Sequence, residues 1–93
     1  MLIVQSRIFE NKVKKFSVTQ KAQLDHAIKD ILNSPSIGER KRGDLGSVYI
    51  YKFRIVNKIY VLAYAISDEK LELLMIGPHE NYYKDLKNYL KKK

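Results

Sequence analysis

The spacing of apolar residues changes its period several times along the chain, and each change marks an element. Leu2-Ile3-Val4-Gln5 is a short β-type run, after which Ser6 can cap a first helix of about two turns whose apolar positions are Phe9, Val13 and Phe16. Ser17-Val18-Thr19-Gln20 has the spacing of a capping box, and Leu24, Ala27, Ile28, Ile31 and Leu32 then form one continuous helical stripe that Asn33-Ser34-Pro35 ends. From Asn33 to Gly46 the chain carries Pro35, Gly38, Gly43 and Gly46 around Arg40-Lys41-Arg42, which predicts an irregular, solvated connection. Val48 to Ile55 alternates, with Tyr49, Tyr51, Phe53 and Ile55 on one face and Val48, Ile50, Lys52 and Arg54 on the other. Ile59 to Ile66 is apolar on both faces, as a covered central strand should be, and Leu71 to Ile76 adds a third strand that Gly77-Pro78 should stop. A last helix is expected from about Asn81, with Tyr82, Tyr83, Leu86, Tyr89 and Leu90 on one side and lysines on the other.

The order β-α-α-β-β-β-α predicts an α+β fold, an antiparallel sheet with the N-terminal helices packed on it and a C-terminal helix. Ninety-three residues, 45% hydrophobic and 30% charged, suit one small globular domain spanning 1–93, and no uninterrupted apolar run is long enough for a membrane span. Cysteine is absent, which excludes disulfides, thiolate nucleophiles and Cys-ligated metal sites. The N-terminus turns polar at Gln5, so the chain is read as cytoplasmic, with no membrane partner. The net charge of +8 is unevenly placed: segments 1–15, 38–58 and 81–93 carry +3, +4 and +4, and the remainder totals −3. A polyanionic partner is expected, with nucleic acid, the ribosome or an acidic protein as candidates.

Candidate chemistry is sparse. No Walker loop, nucleophile elbow, dinucleotide fingerprint or His-rich metal spacing occurs, and the acidic residues are scattered, so neither a cofactor nor a metal is expected. His26 lies off the apolar stripe and reads as a solvated surface residue. His79 follows Gly77-Pro78 at a strand end and precedes a helix, where it is either a packing residue or a general acid or base, the work to which imidazole is suited near neutrality. Lys52 and Arg54 point the same way from one strand, either as solvated positions or as a clamp for a phosphate and its transition-state charge. Metal-free chemistry on RNA fits such a set, because the 2′-hydroxyl of RNA is itself the nucleophile.

Several stretches together resemble the RelE/ParE superfamily of toxins from type II toxin–antitoxin systems. They are Phe9-Glu10-Asn11-Lys12-Val13-Lys14-Lys15, Asn33-Ser34-Pro35-Ser36-Ile37-Gly38-Glu39, Gly43-Asp44-Leu45-Gly46 running on through Tyr49-Ile50-Tyr51-Lys52-Phe53-Arg54, Leu62-Ala63-Tyr64 and Ile76-Gly77-Pro78-His79-Glu80-Asn81-Tyr82-Tyr83. The resemblance implies a cognate antitoxin and one of two activities, ribosome-dependent cleavage of mRNA or poisoning of DNA gyrase; a non-catalytic RNA- or protein-binding module of the same fold is a third reading. RelE-like nucleases carry basic residues on a central strand, a pattern that Lys52 and Arg54 match, while Tyr60-Val61-Leu62 stands where many place a further arginine. The YafQ-like branch places a His after a strand-ending Gly-x and an aromatic four residues later, as His79 and Tyr83 are placed here. By that resemblance His79 is the acid or base, Lys52 and Arg54 the phosphate clamp and Tyr83 a base or phosphate contact, with Glu80 orienting His79. Arg40, Lys41, Arg42, Lys84 and Lys87 are the expected contacts to RNA and the ribosome. His79 favours the nuclease, since a gyrase poison needs no acid–base group.

Overall fold

Side-chain caps set where the first two helices begin. In the computed structural model, which describes residues 1–41, 48–80 and 82–91 apart from the side chains of Tyr82, Tyr83, Asp85 and Tyr89, helix α1 is Arg7–Val13 and α2 is Val18–Asn33. The Ser6 hydroxyl accepts the Phe9 N–H at 3.0 Å, satisfying one of the donors that every helix start leaves open. Ser17 and Gln20 form the expected capping box: Gln20 N–H donates to the Ser17 hydroxyl at 3.1 Å and Ser17 N–H to Gln20 Oε1 at 2.7 Å. Along α2, Leu24, Ala27 and Ile31 are buried and Ile28 and Leu32 half-buried, so the stripe read from the sequence is the packed face.

Among the described residues five strands form one sheet: β1 (Leu2–Gln5), β2 (Glu39–Lys41), β3 (Val48–Ile55), β4 (Lys58–Ser67) and β5 (Lys70–Pro78), in the order β1-β5-β4-β3-β2. The expected antiparallel meander is β3-β4-β5, and β1 joins it as a parallel edge beside β5. Two features go beyond the sequence reading. The segment expected to be irregular contributes β2, which pairs with Val48–Ile50, and β5 continues through Gly77-Pro78. A buried tyrosine accounts for β2: the Tyr64 hydroxyl accepts the Gly38 N–H at 3.0 Å and donates to the Pro35 carbonyl at 2.8 Å, pinning this stretch against the sheet. A Cβ on Gly38 would lie 2.8 Å from that hydroxyl, so the close approach requires glycine.

Both tight turns of the meander use left-handed backbone. Asp68 (φ 48°) and Glu69 (φ 63°) turn β4 into β5, and Val56 (φ 56°) turns β3 into β4, a conformation that is costly for a β-branched residue. Val56 N–H donates to Gln23 Oε1 at 2.6 Å, tying the turn to α2.

The sheet is covered on both faces. One carries α1 and α2 over Phe9, Leu24, Ile31, Ile55, Tyr60, Leu62, Tyr64, Leu71, Leu73 and Ile76. On the other, Val48, Ile50, Val61, Ala63, Leu74 and Met75 gather around Leu86 of helix α3 (Tyr82–Lys91), with Leu90 packed beside them. Burying an aliphatic side chain of this size contributes roughly 1.5–3 kcal/mol, so Leu86 is the main anchor among the described side chains of α3. Asn81, the expected cap of α3, lies outside the described residues.

A bulge in β5 divides the strand in two. Ala63 pairs with Met75 and Tyr64 with Leu73, which leaves Leu74 as an extra residue. Before the bulge Leu71 and Leu73 face the α1/α2 side; after it Ile76 does, so the odd positions have changed face. Ser6 holds the bulge, its hydroxyl donating to the Leu74 carbonyl at 2.6 Å while its N–H donates to the Leu73 carbonyl at 3.0 Å. Among the described residues no helix is long and apolar enough to cross a membrane.

Candidate functional site

Strand register brings Lys52, Arg54 and His79 to one face of the sheet. Lys52 pairs with Val61 and Val61 with Gly77, so the first row across the three strands is cation, aliphatic and glycine. Arg54 pairs with Ile59, and His79 N–H donates to the Ile59 carbonyl at 3.0 Å, which extends the ladder by a second row. With neighbouring strands about 4.8 Å apart, the backbones at Arg54 and His79 stand about 10 Å apart across the sheet. All three are exposed, on the face that α3 covers further along. The bulge is what aligns them: in an unbroken alternation from Leu71, position 79 would fall on the α1/α2 side.

A fourth strand, β2, adds a carboxylate. Glu39 pairs with Ile50 and Lys41 with Val48, so both share the face of Lys52, and Lys41 Nζ sits 2.8 Å from Glu39 Oε1. The hydrogen bond from Lys41, then its charge, with a smaller part from the Lys52 ammonium, hold the Glu39 carboxyl below the usual carboxylate range. Arg40 pairs with Tyr49 and so takes the opposite face. The basic triplet is thereby split; Arg42 lies outside the described residues, as does the Tyr83 side chain. Lys84 and Lys87 are exposed on α3, which lies across the face of Lys41, Lys52 and Arg54, whereas Arg40 and Lys58 fall on the other face, where α1 packs.

His79 lines a cavity of about 240 Å³ together with Lys58, Ile59, Pro78 and Glu80. Of these, Lys58 and Ile59 carry no motif; Ile59 draws attention by its place opposite Arg54 and beside His79, and Lys58 only as its neighbour, paired with Ile55. A second cavity, about 370 Å³, lies between α2 and β3 and reaches Arg54 but not Lys52 or His79. His26 borders it with a side chain 80% exposed, the solvated state expected of it. Among the described residues no three His, Asp or Glu side chains gather in a way that could hold a metal ion.

The five-stranded sheet, with α1 and α2 on one face and the small helix α3 across the other, is the frame that carries these side chains. The model of the ParE-like toxins of type II bacterial toxin–antitoxin systems matches residues 3–87, and the chain belongs to that family. Solved structures agree in fold. A double arginine-to-alanine mutant of the Escherichia coli toxin RelE in the free state matches with TM-score 0.73 and 20% identity over 98% of this chain and 94% of that one. The intact E. coli RelBE toxin–antitoxin complex gives 0.67 and 23% over 85% and 96%, and a YoeB/ParE toxin from Agrobacterium tumefaciens 0.62 and 17% over 85% and 99%. No curated protein matches the chain in sequence.

Proposed function

We propose that this toxin is an endoribonuclease that cuts mRNA on the ribosome and so arrests translation. The observation that carries the reading is the double row in which Lys52 and Arg54 of β3 share a face with His79 at the end of β5. Two cations on a paired strand are fixed in advance of the reaction, the condition under which they stabilise developing charge most. The 2′-hydroxyl of the RNA loses its proton and its oxygen attacks the adjacent phosphorus; the bond to the 5′-oxygen breaks, leaving a cyclic phosphate and a 5′-hydroxyl. Lys52 and Arg54 carry the charge on the phosphorane, and His79 delivers the proton to the departing 5′-oxygen or takes the one from the 2′-hydroxyl. Tyr83 serves as a base or phosphate contact, and Glu80 orients His79. Arg40, Lys41, Arg42, Lys84 and Lys87 contact ribosomal RNA, and their contribution weakens with salt.

A cognate antitoxin holds the toxin in check by laying an acidic or amphipathic segment over the cationic face or by displacing α3. The E. coli relatives are seen with such partners, RelE with RelB in the intact complex and with a RelB peptide. A second reading, poisoning of DNA gyrase, is supported by the ParE-like description of the family. Induction in cells separates them: discrete cuts in mRNA that co-expression of the neighbouring small gene suppresses support the nuclease, whereas intact mRNA with gyrase-trapped DNA breaks supports the gyrase poison. A harmless product indicates a binding module.

A further inference from the structure

We infer that the cavity beside His79 is the pocket for the nucleobase flanking the scissile phosphate, with Ile59 as its apolar floor and Glu80 reading the base edge; this rests on the nuclease reading. Ile59 is 47% exposed although it sits on a paired strand, because its neighbours across the sheet are Arg54 on one side and His79 on the other. It is therefore an apolar surface held rigidly between the phosphate clamp and the acid–base group. Pro78 adds a second apolar wall. At about 240 Å³ the cavity is smaller than the roughly 300–1,000 Å³ of drug-sized pockets, a scale that suits one planar base rather than a larger ligand. A base set on Ile59 would leave its sugar-phosphate beside Arg54, and Lys58 at the same cavity supplies a further cation for the next phosphate.

Among the described lining residues Glu80 is the carboxylate, and an ionised carboxylate only accepts hydrogen bonds. Guanine offers two adjacent N–H donors, and adenine and cytosine each an amino group. Uracil presents one N–H between two carbonyl oxygens, which the carboxylate repels. The pocket should therefore take an amino-bearing base in preference to uracil.

The test uses the full-length nitrogen-15-labelled protein and 2′-O-methyl RNA trinucleotides, which cannot be cut, with the central base varied. The expected result is amide shifts concentrated at Lys58, Ile59, His79 and Glu80, with the uracil-centred probe several-fold weaker. Ile59→Ala should weaken all probes by about fivefold or more, and Glu80→Gln should remove the discrimination against uracil. Both sites are exposed, so folding is retained, and the amide spectrum verifies it. Silence at these amides, or unchanged affinities and discrimination in both variants, overturns the pocket. Shifts there on adding an antitoxin but not RNA overturn it equally. A wild-type protein that cuts mRNA on ribosomes while the pocket stays silent refutes the pocket alone. One that binds the probes as expected but cuts no mRNA refutes the nuclease reading and keeps the pocket.

Discussion

Ser6 does two jobs with one hydroxyl, and replacing it in two ways separates them. The oxygen accepts the Phe9 N–H at the start of α1, and the proton goes to the carbonyl of Leu74, the extra residue of the β5 bulge. Ser6→Ala loses both: a missing N-cap costs about 0.5–2 kcal/mol, and a lost hydrogen bond of this kind about 0.5–1.5 kcal/mol. The sum, about 1–3.5 kcal/mol, is a fall in Tm of about 4–28 °C for a domain of this size, at about 4–8 °C per kcal/mol. Ser6→Asp keeps an acceptor for Phe9 but has no proton for Leu74, and its carboxylate would face the carbonyl that now stands 2.6 Å from the hydroxyl. Thermal and urea unfolding should therefore place the aspartate variant below wild type by about 1 kcal/mol or more, despite its good cap. Because the bulge puts His79 on the face of Lys52, activity should fall in both variants by more than the loss of folded protein explains. An aspartate variant as stable and as active as wild type would refute the claim that Ser6 holds the bulge.

Tyr64→Phe leaves the Gly38 N–H and the Pro35 carbonyl without their partner and should cost about 1–3 kcal/mol in urea unfolding. Gly38→Ala should be less harmful in that background than in wild type, since the hydroxyl 2.8 Å from the new Cβ is gone; additive effects would contradict the contact. Burial, outweighing the opposing hydrogen bond from Gly38, raises the Tyr64 pKa above its ordinary value near 10. The folded state then holds its proton longer than the unfolded chain, so this contribution is complete below about pH 10 and is lost as pH rises through the folded pKa. Midpoints measured across that range should fall more steeply for wild type than for Tyr64→Phe. Val56→Gly should stabilise by about 0.5–1 kcal/mol, because Val56 takes a positive φ at the first turn position, where glycine is preferred; a lower midpoint would show that the valine side chain has a role there.

Much of the site was legible because β3 alternates cleanly: Tyr49, Tyr51 and Phe53 pack toward the helices, and Lys52 and Arg54 can only share the opposite face. The stripe on α2 and the caps at Ser6 and Ser17 are equally local signals, and each appears where it was expected. What the sequence concealed depends on contacts between distant residues. Leu74 and Met75 are simply two apolar neighbours until pairing with β4 shows one of them to be extra, so the face of His79 could not be counted along the strand. Strand β2 is short and charged, and it exists because Tyr64, 26 residues from Gly38, holds the chain in place. Ile59 likewise looks like the first residue of a central strand, and its exposure follows from Arg54 and His79 on either side.

The central claim is that the face carrying Lys52, Arg54 and His79 cuts mRNA. Primer extension on a defined mRNA, with purified wild type, His79→Ala, Lys52→Ala and Arg54→Ala, with and without ribosomes, tests it most directly. Discrete cuts that require ribosomes and fall about a hundredfold or more in each variant, all three melting like wild type because the replaced side chains are exposed, are the predicted result. A toxic wild-type protein that leaves the message intact, or three variants that cut as well as wild type, would contradict it.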